Sequence, residues 1–188
     1  MPQSVKANPM VVPFIYPLDD FYLQENRVLP RVEAIPGERM PEPFKSLLVH
    51  FDDMTPTLEA FHKQTIYIDV LRHQQRDQFY FREVILRLEN NHQPVEFGAI
   101  KIDLSLFQPM AKKLILEEHI PLGHIMETEN VVHQCRPKAF FEIDADDFIG
   151  GGLQIPTGQV LYGRRNSLLD QNNVSLAEVV EILPPQKV

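Results

Sequence analysis

A chain of 188 residues with 44% hydrophobic and 23% charged residues has the composition of one globular domain, long enough to enclose a small-molecule pocket and unlike a disordered segment. Its 18 Lys and Arg against 26 Asp and Glu give a formal net charge of −8 with no long basic run, which excludes nucleic acid and anionic membrane as natural partners. A field of that sign also repels anions, so any anion site needs a local cluster of Arg or Lys.

Cys135 is the only cysteine, which rules out an intrachain disulfide and a cysteine-rich zinc site and fits a reducing compartment. The N-terminal apolar stretch is short and broken by prolines, unlike a secretory segment, and nothing later reaches membrane-spanning length. The expected location is cytoplasmic.

Residues 1–45 read as a proline-rich arm, with Pro17, Pro30, Pro36, Pro41 and Pro43 leaving little room for helix. Its aromatics Phe14, Tyr16, Phe21 and Tyr22 predict that part of it packs on the body formed by residues 46–188. Helical spacing begins around Ser46 to His50, and a second short helix starts near Thr55 with Pro56 in its first turn. From Thr65 the period changes to two, and Gln78 to Leu88 (QFYFREVILRL) is the clearest strand, with Pro94 to Leu104 as its hairpin partner. Pro109 to His119 carries helical spacing, and Pro121-Leu122-Gly123 breaks and restarts the chain. Gly150-Gly151-Gly152 reads as a flexible loop. A second hairpin runs from about Gln159 to Leu169 and back through Val174 to Leu183. Hairpins without β-helix-β alternation define an α+β class: one domain, an antiparallel sheet with helices on one face, enclosing a ligand pocket.

Two charges fall in apolar stripes. Arg82 shares a face with Tyr80, Val84, Leu86 and Leu88, and Glu178 shares one with Leu176, Val180 and Ile182, while Glu181 falls on the opposite face. The pair is either a buried ion pair or a pocket in which the guanidinium takes a ligand carboxylate and the acid a ligand hydroxyl.

Five short motifs in order then resemble the chorismate pyruvate-lyases: Leu48 to Phe61 (LVHFDDMTPTLEAF), Phe79 to Leu86 (FYFREVIL), the return strand from Phe97-Gly98, Ile120 to Gly123 (IPLG), and Tyr162 to Arg165 (YGRR) before a hairpin ending in an acid. The resemblance covers about Leu47 to Pro184. It implies elimination of pyruvate from chorismate to leave 4-hydroxybenzoate, with Arg82 on a substrate carboxylate and Glu178 at the ring hydroxyl, and with Met54, Thr55 and Leu122 lining the substrate. Because aromatisation of the ring is strongly downhill, orientation and charge placement suffice, no cofactor or metal is called for, and slow product release is expected. The sequence departs from the family at Ala99, where the bacterial lyases carry a second arginine; Lys101, two residues on and sharing that face, is the candidate replacement. Two alternatives stay open: a non-catalytic, sensor-like binding domain of the same fold, and a lyase giving another hydroxybenzoate isomer. No helix-turn-helix is read in the arm.

The remaining candidates read as structural. The seven histidines show no metal-ligand spacing, so no metal site is expected, and Cys135 reads as packing. Asp52 and Asp53 read as helix caps. Arg164 and Arg165 either steer an anion at the pocket mouth or end a strand and pair with acids.

Overall fold

A computed structural model describes residues 14–186; the expectations for residues 1–13 of the arm lie outside the described residues. The chain forms α1 (Leu18–Gln24), β1 (Val32–Ala34), α2 (Phe44–Leu48), α3 (Met54–His62), β2 (Ile66–Arg76), β3 (Phe79–Leu88), β4 (Pro94–Asp103), α4 (Pro109–Glu117), α5 (Leu122–Thr128), β5 (Gln134–Asp144), α6 (Asp147–Leu153), β6 (Val160–Leu169) and β7 (Ser175–Leu183). All seven strands join one antiparallel sheet in the order β1-β5-β6-β7-β4-β3-β2, an α+β domain as the hairpin pattern predicts.

Helices cover both faces of this sheet, not one. On the first face, Phe81, Ile85, Phe97, Ala99, Val180 and Ile182 pack under α1 and α6 through Leu18, Phe21, Tyr22, Ile149 and Leu153. On the second, Tyr80, Val84, Ile100, Ala177 and Val179 pack under α2 to α5. A strand buried on both sides is apolar at odd and even positions alike, so alternation alone does not choose the side of its charged residues.

Three helices, α1, α5 and α6, stand where the sequence reading has none. α1 occupies the proline-free window between Pro17 and Pro30, where Leu18, Phe21 and Tyr22 recur at helical spacing and are fully buried. Burial of side chains of this size contributes about 1.5–3 kcal/mol each, which outweighs a helix start without a side-chain cap. α6 carries the glycine run itself. Asp146 caps it, its Oδ1 accepting from the amides of Phe148 (3.1 Å) and Ile149 (2.8 Å), while Tyr22 donates its hydroxyl to Oδ2 at 2.7 Å. A Cβ at Gly152 would sit 2.8 Å from Ile85 Cδ1, so glycine is what lets the helix lie close on the sheet. Among the described residues no helix is long and apolar enough to cross a membrane.

Candidate functional site

On the α2–α5 face, antiparallel register aligns residues into rows across the sheet. One row runs Arg82 (β3), Ile100 (β4), Val179 (β7), Asn166 (β6); the next runs Val84, Gly98, Glu181, Arg164. Over these rows lies a cavity of about 70 Å³. A single water occupies roughly 10–15 Å³ of such space, so the cavity suits a ligand of several heavy atoms, not a nucleotide. The starts of α3 and α5 close it, through Asp53, Met54, Thr55, Leu122 and Gly123.

Arg82 is 1% exposed. Its Nη1 donates to the carbonyl of Ile115 at 3.3 Å and its Nε has no partner in the protein. Burial lowers the pKa of this guanidinium, and the nearby Tyr80 and Glu118 oppose the shift; arginine nevertheless stays charged. No salt bridge to Arg82 occurs among the described residues.

Arg164 is the opposite case. It is wholly buried, paired through Nε with Glu181 directly across the strand pair, and it donates further to the carbonyls of Leu48 (3.3 Å), His50 (3.2 Å) and Asp52 (3.1 Å). It therefore braces the α2–α3 loop and holds its acid, and little donor capacity is left for a ligand. Beside it, burial first and then the charge of Glu181 push the Glu96 carboxyl well above its ordinary range, against the pull of Arg164, so burial and Glu181 both favour a proton on Glu96. Glu96 Oε2 and Asn166 Oδ1 are both buried and unpartnered.

The sequence candidates divide between the two faces. Arg82, Met54, Thr55 and Leu122 line one cavity. Glu178 and Lys101 do not: they are register partners on the α1/α6 side, where Glu178 accepts from Ser167 and Ser175 at 2.8 Å each and from Arg165 at 3.4 Å, and Lys101 Nζ lies 4.0 Å from the Phe79 ring centre. The face assignment is thus reversed, with Glu181 inward to the cavity and Glu178 away from it. Lys101 does share a face with Ala99, but that face is the wrong one to supply a second cation to the cavity.

A second convergence escapes the sequence reading. Asp53 occupies the N-cap position of α3, yet its carboxylate makes no cap bond. It meets His133 Nε2 at 2.9 and 3.0 Å and accepts from the Cys135 thiol at 3.1 Å. Burial alone would raise the Asp53 carboxyl, but the bonds from His133 and Cys135, with the charges of His133 and Arg164, outweigh it and leave it below its ordinary value. The bond to Asp53 raises His133, and burial followed by Asp53 pushes the Cys135 thiol up to about 12. Asp53 and His133 stand 80 positions apart, so only the packing of α3 on the start of β5 reveals the group. His124 pairs with Glu59 at 3.1 Å and does not line the cavity.

No family model and no curated protein matches this chain. Solved structures do. PhnF from Mycobacterium smegmatis superposes with a TM-score of 0.56 at 8% identity over 72% of this chain and 65% of its own. The effector domain of the same protein gives 0.55 at 9% over 70% and 87%, and the ligand-binding domain of a GntR-family transcriptional regulator from Bordetella bronchiseptica gives 0.52 at 13% over 64% and 83%. The chain therefore shares its fold with these domains. At such identities the likeness carries the fold alone.

Proposed function

We propose that this domain binds a small, singly charged hydroxycarboxylate of the size of a hydroxybenzoate in the Arg82 cavity. The observation that carries this reading is that Arg82, Glu96 and Asn166 each bring a buried polar atom without a protein partner to the same cavity. Such atoms cost about 1–3 kcal/mol each when left unmet, more for a charged group, and a ligand that meets them recovers that cost as affinity. A carboxylate suits the Arg82 guanidinium, an apolar ring suits Ile100, Leu168 and Val179, and a hydroxyl suits Asn166 Oδ1 or the protonated Glu96. Arg82 is the local cation that overrides the acidic surface.

The charge count favours a monoanion over chorismate, which carries two carboxylates. Arg164 is committed to Glu181 and to backbone carbonyls, and Lys101 lies on the other face, which leaves Arg82 as the one cation lining the cavity without a salt bridge among the described residues. That the domains of like fold include ones described as ligand-binding and effector domains supports the same reading. The lyase reading retains one specific support, because Arg82, Met54, Thr55 and Leu122 share a cavity, with Glu181 in the place the resemblance gives to Glu178.

One experiment separates the two. The protein is melted with and without a panel of monocyclic hydroxycarboxylates, and in parallel incubated with chorismate while pyruvate is assayed. A raised Tm with hydroxybenzoates and intact chorismate is expected; stoichiometric pyruvate establishes the lyase instead, and a Tm unmoved by the whole panel overturns the binding proposal.

A further inference from the structure

Asp53, His133 and Cys135 bring a carboxylate oxygen, an imidazole nitrogen and a thiol sulfur within 4.8 Å of one another. Hard, borderline and soft donors in this combination match a tetrahedral zinc-like cation, whose bonds of about 2.0–2.3 Å space its ligand atoms at roughly 3.3–3.7 Å. The separations of 2.9–3.1 Å from the Asp53 oxygens need open by only a few tenths of an ångström to reach that spacing.

The orientation of His133 points the same way. Its Nδ1 lies 2.8 Å from the carbonyl of Val131, which can only accept, so the proton is on Nδ1 and the ring is held as metal-binding histidines are held. A neutral ring so fixed would aim its Nε2 lone pair at both oxygens of Asp53. Two acceptors in contact require a positive centre between them, either a proton or a metal ion.

Asn166, 1% exposed, lines the cavity alongside Asp53, and its Oδ1 is a further buried acceptor without a partner. On the outer side, a groove lined by Gly123, Met126, Val131 and His133 reaches Asp53 from solvent and provides an entry path.

We infer that Asp53, His133 and Cys135 form a binding site for a zinc-class divalent cation in the wall of the ligand cavity. Binding expels the Cys135 thiol proton and the proton between His133 and Asp53, and the cation takes their place. Three protein ligands leave the fourth position to water or to an oxygen of a cavity ligand. This inference stands apart from the hydroxycarboxylate reading, and its test uses no organic ligand.

The full chain is titrated with Co²⁺, a spectroscopic substitute for Zn²⁺, and then with Zn²⁺. The expected result is a near-ultraviolet thiolate-to-cobalt band saturating at one equivalent, displaced by Zn²⁺, absent in Cys135→Ser, and requiring at least tenfold more cobalt in Asp53→Asn and His133→Ala. Because Cys135 is the only cysteine, such a band can arise nowhere else, and the wild type alone decides the matter where a variant fails to fold. Absence of the band at saturating cobalt, or an undiminished band in folded His133→Ala, overturns the inference.

Discussion

Arg82 and Asn166 stand at the two ends of one row across β3, β4, β7 and β6, separated only by Ile100 and Val179, and each bears a buried polar atom that the protein leaves unmet. With strands about 4.8 Å apart, three steps across the sheet set their backbones roughly 14 Å apart.

The two glutamates of β7 have opposite consequences. Glu178→Ala removes partly exposed contacts on the α1/α6 side and is expected to change stability by no more than about 1 kcal/mol, with ligand affinity unchanged. Glu181→Ala leaves Arg164 buried without its acid and is expected to destabilise by about 3–5 kcal/mol. Urea unfolding of the two variants side by side checks the reversal; equal losses would contradict it.

Arg164→Ala tests the brace itself. It strands Glu181 and frees the carbonyls of Leu48, His50 and Asp52, so the expected cost is again about 3–5 kcal/mol, and the α2–α3 loop should gain protease sensitivity. Unchanged stability and an intact loop under limited proteolysis would show that the brace is dispensable.

Two buried acids set a pH dependence. Burial raises Glu96 well above the ordinary 4.5 and pushes Glu83 up to about 7 despite its contact with Arg72. The folded state then holds protons that the unfolded state has lost, so these groups favour folding below about 4.5 and that contribution declines as pH climbs towards 7 and beyond. Urea midpoints of wild type are expected to fall across this interval more steeply than those of Glu96→Gln. Anion affinity should fall in the same direction, since a deprotonated Glu96 adds a negative charge to the cavity.

Gly163 on β6 has no room for a side chain. A Cβ there would lie 2.6 Å from the Phe141 ring and 2.7 Å from the carbonyl oxygen of Glu181, and backbone cannot yield as a side-chain tip can. Gly163→Ala is expected to lower stability by about 1–3 kcal/mol, read as a drop in Tm.

The hairpins β3–β4 and β6–β7 were legible because their turns and apolar runs are local signals, and Arg82 was legible because a charge inside such a run needs an explanation. The side of Glu178 and Glu181 was not, since helices cover both faces and alternation loses its meaning there. α1 hid behind proline density, although the window between Pro17 and Pro30 with its spaced apolar residues was the available clue. α6 hid behind three glycines, with Asp146 as the overlooked cap. Nothing local joins Asp53 to His133 and Cys135, whose meeting is a product of the tertiary fold.

Isothermal titration of 4-hydroxybenzoate into wild type and Arg82→Met measures whether Arg82 takes the carboxylate of a bound anion. One-to-one binding by wild type, weakened at least tenfold in a variant whose Tm without ligand is not lowered, is predicted, because charge-assisted hydrogen bonds of about 1.5–3 kcal/mol are lost while an unpaired buried charge is relieved. Equal affinity in wild type and folded Arg82→Met would contradict it.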